Sequence, residues 1–179
     1  MNKLILVLLL FPALIIAQVK FSSVGISLGG GSISANSPKV TTYSAGAYFE
    51  VSSPWSDNLF IRPQALYSRD LNILFPENRK GKNYSYIYGG GVDIVNRTTY
   101  DKSYDMEYSG GIIAIKDKTY SDINNLCYGI KLGAAVHFNI ADYTASRLLL
   151  GVSADYGQTF SKTTPGFLFI SLGLKYKFI

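Results

Sequence analysis

The chain has 179 residues, 47% apolar and 16% charged, with a formal net charge of +5, 14 Tyr, 10 Phe, one Trp, one His and one Cys. This is too apolar and too sparsely charged for a disordered chain, and its length suits a single domain. Cys127 has no partner for an internal disulfide, and one His with one Cys gives no closed metal-ligand set, so no metal or other cofactor is expected.

At the N-terminus, Lys3 precedes an apolar stretch over residues 4–16, and Ala17 closes it with a small side chain. This is the pattern of a secretory signal cleaved after residue 17, leaving 18–179 as the mature domain. The stretch is short of the roughly 20 apolar residues that a spanning helix needs, although an uncleaved anchor is the alternative. Beyond it no apolar run exceeds four residues, which excludes further spanning helices. The rest of the chain carries period-two alternation, the pattern of strands with two unlike faces.

Residues 19–30 form the first, weaker strand, and 31–40 a loop. Over 43–51, Tyr43, Ala45, Ala47, Phe49 and Val51 share one face, against Ser44, Gly46, Tyr48 and Glu50. A turn at 52–58 contains Pro54 and Trp55, and a strand at 59–69 carries Arg62 and Gln64 on its polar face. A long loop, 70–83, holds the basic cluster Arg79, Lys80 and Lys82 and leads to a strand at 84–95 with Asp93. A short turn at 95–97 is expected next. In 98–116, Tyr100, Tyr104, Met106 and Tyr108 alternate with Thr99, Asp101, Ser103, Asp105 and Glu107. Gly110-Gly111 then reads as a bulge that re-phases the pattern, and the stretch also admits division into strands at 98–108 and 112–120.

After a loop at 117–124, residues 126–138 place Leu126, Tyr128, Ile130, Leu132, Ala134, Val136 and Phe138 opposite Cys127, Gly129, Lys131, Gly133, Ala135 and His137. A turn at 139–146 precedes a strand at 148–156, with Ser153 and Asp155 on its polar face, and a loop spans 158–165. The last strand, 167–178, sets Leu168, Ile170, Leu172, Leu174, Tyr176 and Phe178 against Phe167, Phe169, Ser171, Gly173, Lys175 and Lys177. The count is eight.

Short turns alternating with longer loops are the habit of outer-membrane barrels, with the turns and both termini on the periplasmic side. Aromatics cap the apolar face near the strand ends: Phe138, Tyr176 and Phe178 at the inner boundary, and Tyr43, Tyr67, Tyr84 and Tyr86 at the outer one. A soluble secreted sandwich or lipocalin-like barrel would alternate similarly, so periodicity alone does not separate the two. The small and ionisable residues of the polar face favour a narrow, filled interior and hence an all-β, eight-stranded antiparallel up-and-down transmembrane β-barrel.

The segment Ser171-Leu172-Gly173-Leu174-Lys175-Tyr176-Lys177-Phe178 resembles the C-terminal assembly signal of outer-membrane proteins. With the signal peptide and the strand pattern, the chain resembles small outer-membrane β-barrel proteins of the OmpA-barrel, OmpX and porin-family type common in Bacteroidetes-like bacteria. Ile179 departs from the resemblance, because that family usually ends on the aromatic. The resemblance implies the bacterial outer membrane as location and outer-membrane lipid as surroundings. It also implies recognition by the barrel-assembly machinery through Ser171, Gly173, Tyr176 and Phe178.

Eight strands enclose a space about wide enough for their own side chains, so no large pore is expected. Glu50, Arg62, Asp93, Lys131, Asp155 and Lys175 form the candidate interior polar cluster, read as ion pairs that neutralise one another rather than as an ion path. His137 lacks a His-x-Ser context, and only Ser153 and Asp155 on the neighbouring strand offer themselves as triad partners, so it reads as packed interior and not as a catalytic base. Gly89-Gly90-Gly91 lacks the Lys and Ser/Thr of a phosphate loop. Arg79, Lys80 and Lys82 are candidate contacts for lipopolysaccharide or another surface ligand, while the scattered charge argues against nucleic acid. The expectation is a monomeric, non-enzymatic barrel with a structural or surface-interaction role through loops 31–40, 70–83 and 117–124. A narrow channel and a lipid-modifying enzyme are the alternatives.

Overall fold

The computed structural model describes residues 20–34, 39–74, 85–100, 103–118, 125–160 and 165–178. The expected signal peptide, the Arg79/Lys80/Lys82 cluster, Tyr84, Ile179 and most of the long loops lie outside the described residues. Eight strands follow one another: β1 (Phe21–Ser34), β2 (Val40–Ser52), β3 (Leu59–Asp70), β4 (Tyr86–Tyr100), β5 (Tyr104–Lys118), β6 (Asn125–Tyr143), β7 (Ser146–Thr159) and β8 (Gly166–Phe178). Each pairs antiparallel with the next, and β1 pairs with β8, closing the barrel. Closure gives every strand two neighbours, so no edge is left with unpaired backbone groups.

The alternation sorts side chains to the two sides of the wall, and the sorting is inside-out relative to a soluble protein. Leu28 and Ile112 are each 68% exposed and Leu172 is 62% exposed, whereas Glu50, Asp93 and Lys175 are fully buried. An apolar exterior around a charged interior is stable only where the exterior meets hydrocarbon, which identifies a transmembrane barrel. Rings gather at both ends of the apolar belt. At the end bearing the termini and short turns, Phe21 touches Phe49 and Phe178, Tyr176 meets Phe178, and Tyr104 meets Tyr100 and Phe138. At the opposite end Tyr43 pairs with Tyr67, and Tyr86 stacks on Tyr88.

Three expectations are corrected. Val95, Asn96 and Arg97 are not a turn but the continuation of β4, paired with Ser109, Tyr108 and Glu107, and the reversal comes after Tyr100, whose carbonyl accepts from the Ser103 amide at 2.9 Å. The turn expected at 139–146 contracts to Thr144-Ala145, because β6 pairs with β7 out to Tyr143 and Ser146.

Gly110-Gly111 is no bulge. Both glycines pair in unbroken register with β4 and β6, and even-numbered side chains of β5 point outward on both sides of them. The alternation only looked re-phased because the interior itself turns apolar there, at Ile113 and Ile115. The register shifts lie instead between Phe21 and Ser23 and between Asn139 and Ala141. The second inserts Ile140 and moves the outward face from Phe138 to Tyr143.

Candidate functional site

Three layers fill the interior. Nearest the short turns, Glu50 from β2 and Glu107 from β5 stand among Arg62, Arg97 and Lys175, contributed by β3, β4 and β8. Arg62 donates through Nε to Glu50 at 2.8 Å and through a terminal nitrogen to both carboxylates. Arg97 donates through Nε to Glu107 at 2.6 Å and also reaches Glu50, and Lys175 bridges the two, 3.0 Å from Glu50. Ser23 donates to Glu50 as well. The cations also lie over rings, Arg97 4.0 Å above Phe60 and Arg62 4.6 Å above Tyr48. At the lower rim, Lys177 pairs with Asp105 at 2.9 Å.

In the middle layer, Lys131 of β6 donates to Asp93 at 2.8 Å and to Gln64 at 2.6 Å, with Asp155 at 3.0 Å. Above it the interior is mainly apolar, although the buried Ser68 and Asp117 stand beside Ile87 in the register. Ile33, Ile87, Ile113, Ile115, Cys127, Phe167 and Phe169 form one buried cluster with Leu66 packed against it. Phe167 and Phe169 stack with centroids 4.7 Å apart. Missing side chains make room for rings: a Cβ on Gly25 would run into Tyr48, one on Gly151 into His137 and one on Gly157 into Phe167.

The six residues expected to share one polar cluster therefore divide into two groups. Glu50, Arg62 and Lys175 belong to the lower network, and Asp93, Lys131 and Asp155 to the middle one. Two central members, Arg97 and Glu107, were absent from the expected cluster. Arg97 was hidden by its assignment to a turn, and extending the alternation of β4 two residues further would have found it. Of the C-terminal residues, Ser171 and Gly173 point inward, while Tyr176 and Phe178 belong to the aromatic rim and the Tyr176 hydroxyl lies 2.6 Å from that of Ser146.

His137 is buried with its Nδ1 3.7 Å from Glu107. Ser153 points its hydroxyl to Asp155 at 3.4 Å, and all three line a cavity of about 50 Å³ between the lower and middle layers. That space holds a few waters and no acyl substrate. The strand wall separates it from lipid.

No protein-family model matches the sequence, and no curated protein matches it. Solved structures do share the fold. The crystal structure of Neisserial surface protein A (NspA) superimposes with a TM-score of 0.64 at 11% identity, covering 89% of this chain and 99% of that one. Ail, the attachment invasion locus protein of Yersinia pestis, gives 0.51 at 12% identity, over 87% and 97% of the two chains. The outer membrane enzyme PagL gives 0.54 at 16% identity, over 84% and 97%. The chain thus has the eight-stranded barrel fold of small outer-membrane proteins, and its own apolar belt requires a membrane around it.

Proposed function

We propose that the protein is a non-conducting, non-enzymatic outer-membrane barrel, with a structural or surface-interaction role carried by its long loops. It stands in the membrane as a monomer, with termini and short turns in the periplasm. The observation that carries this reading is the filled interior. The lower layer sets Arg62, Arg97 and Lys175 against Glu50 and Glu107, and the middle layer sets Lys131 against Asp93 and Asp155, so the surplus cation of one is balanced by the surplus carboxylate of the other, and an apolar cluster stands above them. What remains free to meet the surroundings is the end bearing the connections beyond β1, β3, β5 and β7. NspA, a surface protein, and Ail, an attachment invasion locus protein, share the fold, which supports a surface role.

PagL favours a second reading, a lipid-modifying enzyme. The enclosed place of His137 weighs against it, because a general base must reach the bond it acts on.

Trypsin added to intact cells tests the orientation. Cleavage at Arg79, Lys80 or Lys82, with the barrel fragment left intact, is expected, and cleavage only after the cells are permeabilised would refute the surface role. In planar bilayers the purified protein is expected to give no conductance steps, and steps that persist in single-barrel recordings would establish a channel. An unchanged lipid A composition is expected for His137→Ala, and a changed one would restore the enzyme reading.

A further inference from the structure

The exterior belt is uneven on one side. Across β3, β4 and β5 the register aligns Ala65, Gly90 and Ala114 in one row, with Tyr128 of β6 beside them. Gly90 and Ala114 leave a groove of about 870 Å³ beside Tyr128, with Val92, Ile112 and Ile130 below and Phe160 at its side. The next row towards the long-loop end is Tyr67, Tyr88 and Lys116, and the row above that is Arg69, Tyr86 and Lys118.

Lys116 and Lys118 share the outward face of β5 with Ile112 and Ala114, whereas Ile113, Ile115 and Asp117 are buried on the inward face. Arg69 lies 5.7 Å from the ring centre of Tyr86. None of these three cations enters an ion pair among the described residues. At the other described strand positions, Arg62, Arg97, Lys131, Arg147, Lys175 and Lys177 all do, and Lys20 and Lys39, just outside β1 and β2, do not.

We infer that this face holds one phosphorylated lipid of the outer leaflet, its phosphate between Arg69, Lys116 and Lys118 and one acyl chain in the groove over Gly90 and Ala114. The chemistry of the two parts matches such a lipid in order and in position. Three cations at the rim supply charge-assisted donors to a phosphate, and their long stems let the charged ends reach the headgroup level. The tyrosines flank them at the interface, and the apolar slot starts one row deeper, where hydrocarbon begins. A membrane already covers this face with lipid, so the inference concerns a particular seat for one lipid and not the presence of lipid. It rests on the orientation proposed above, with the long loops outside.

Native mass spectrometry of the detergent-purified protein tests it, with bis-phosphorylated lipid A as probe and dephosphorylated lipid A as control. The wild type is expected to retain one phosphorylated molecule and to discriminate at least tenfold against the dephosphorylated form. The combined variant R69Q, K116Q and K118Q should lose that discrimination, and Ala114→Leu, which fills the groove, should lower retention of the lipid while the charges stay in place. Equal retention of the two lipids by the wild type, or undiminished discrimination by the triple variant, overturns the inference. A gel of cold and boiled samples separates this failure from a deeper one. A variant that keeps its heat-dependent mobility shift has a folded barrel, so loss of lipid there reports the seat. If the wild type itself shows no shift, the membrane-barrel reading falls, and this inference with it.

Discussion

Removing Glu107 and removing Lys175 from the lower ionic layer should have very unequal consequences, although the two groups touch each other. Lys175→Met leaves Glu50 held by Arg62, Arg97 and Ser23, and leaves Glu107 held by Arg62 and Arg97. Neither carboxylate is orphaned, and the apolar replacement spares the desolvation of an ammonium, so the change is expected to cost under about 1 kcal/mol. Glu107→Gln instead leaves Arg62, Arg97 and Lys175 to share Glu50, with only the longer 3.7 Å approach of Arg97 to Asp105 besides, inside a wall that admits little water. Breaking a buried charge pair from one side costs about 3–5 kcal/mol. The gap of at least about 2 kcal/mol is more than tenfold in the folding equilibrium. Urea unfolding in lipid vesicles measures it, followed by the heat-dependent gel shift and by the fluorescence of Trp55, the single tryptophan, exposed in the turn between β2 and β3. Equal losses for the two variants, or a larger loss for Lys175→Met, would refute the idea that charge balance, and not the number of contacts, holds this layer.

Other outcomes are set by the same architecture. Leu172→Arg, in the middle of the belt, should destabilise the inserted barrel by about 2–4 kcal/mol, while Phe178→Arg at the aromatic rim should cost about 0–1 kcal/mol, both read from unfolding in vesicles. Gly151→Leu puts a side chain where the His137 ring lies and should cost about 1–3 kcal/mol, with His137→Ala in the same chain recovering part of the loss. Cys127 sits in the apolar layer, so a water-soluble maleimide should leave it unmodified in the cold-run barrel and label it after boiling. Labelling of the folded form would mean that water crosses that layer.

Much of the architecture was legible because a strand with lipid on one side and a polar interior on the other obeys period two across its wet half, save at the two register shifts beside Phe21 and Ile140. β8 and β6 could be read residue by residue on that basis, and the outward set from Leu168 to Phe178 is the observed one. The reading failed where a second rule overlaid the first. At Ile113, Ile115, Phe167 and Phe169 both faces are apolar, so alternation carries no contrast, and the apparent re-phasing at Gly110-Gly111 has no counterpart in the backbone of β5. At Arg97 a polar stretch with Asn96 and Thr98 looked like a turn, although Asn96 and Thr98 face outward beyond the belt and only Arg97 faces in. The division of the interior charges into two layers was not legible at all, because it depends on how far each strand is staggered against its neighbours, and stagger leaves no mark on composition.

The glycines that make room for Tyr48, His137 and Phe167 have a bearing on how such a chain can change over generations. Each ring occupies the volume that its facing glycine gives up, so neither position can acquire a larger side chain unless the other becomes smaller. The belt is under no such rule, since Leu28, Ile112 or Leu172 faces fluid lipid that adjusts to any apolar shape. Inherited variation should therefore accumulate singly on the outside and in compensating pairs on the inside, with Gly25 and Tyr48, Gly151 and His137, and Gly157 and Phe167 moving together.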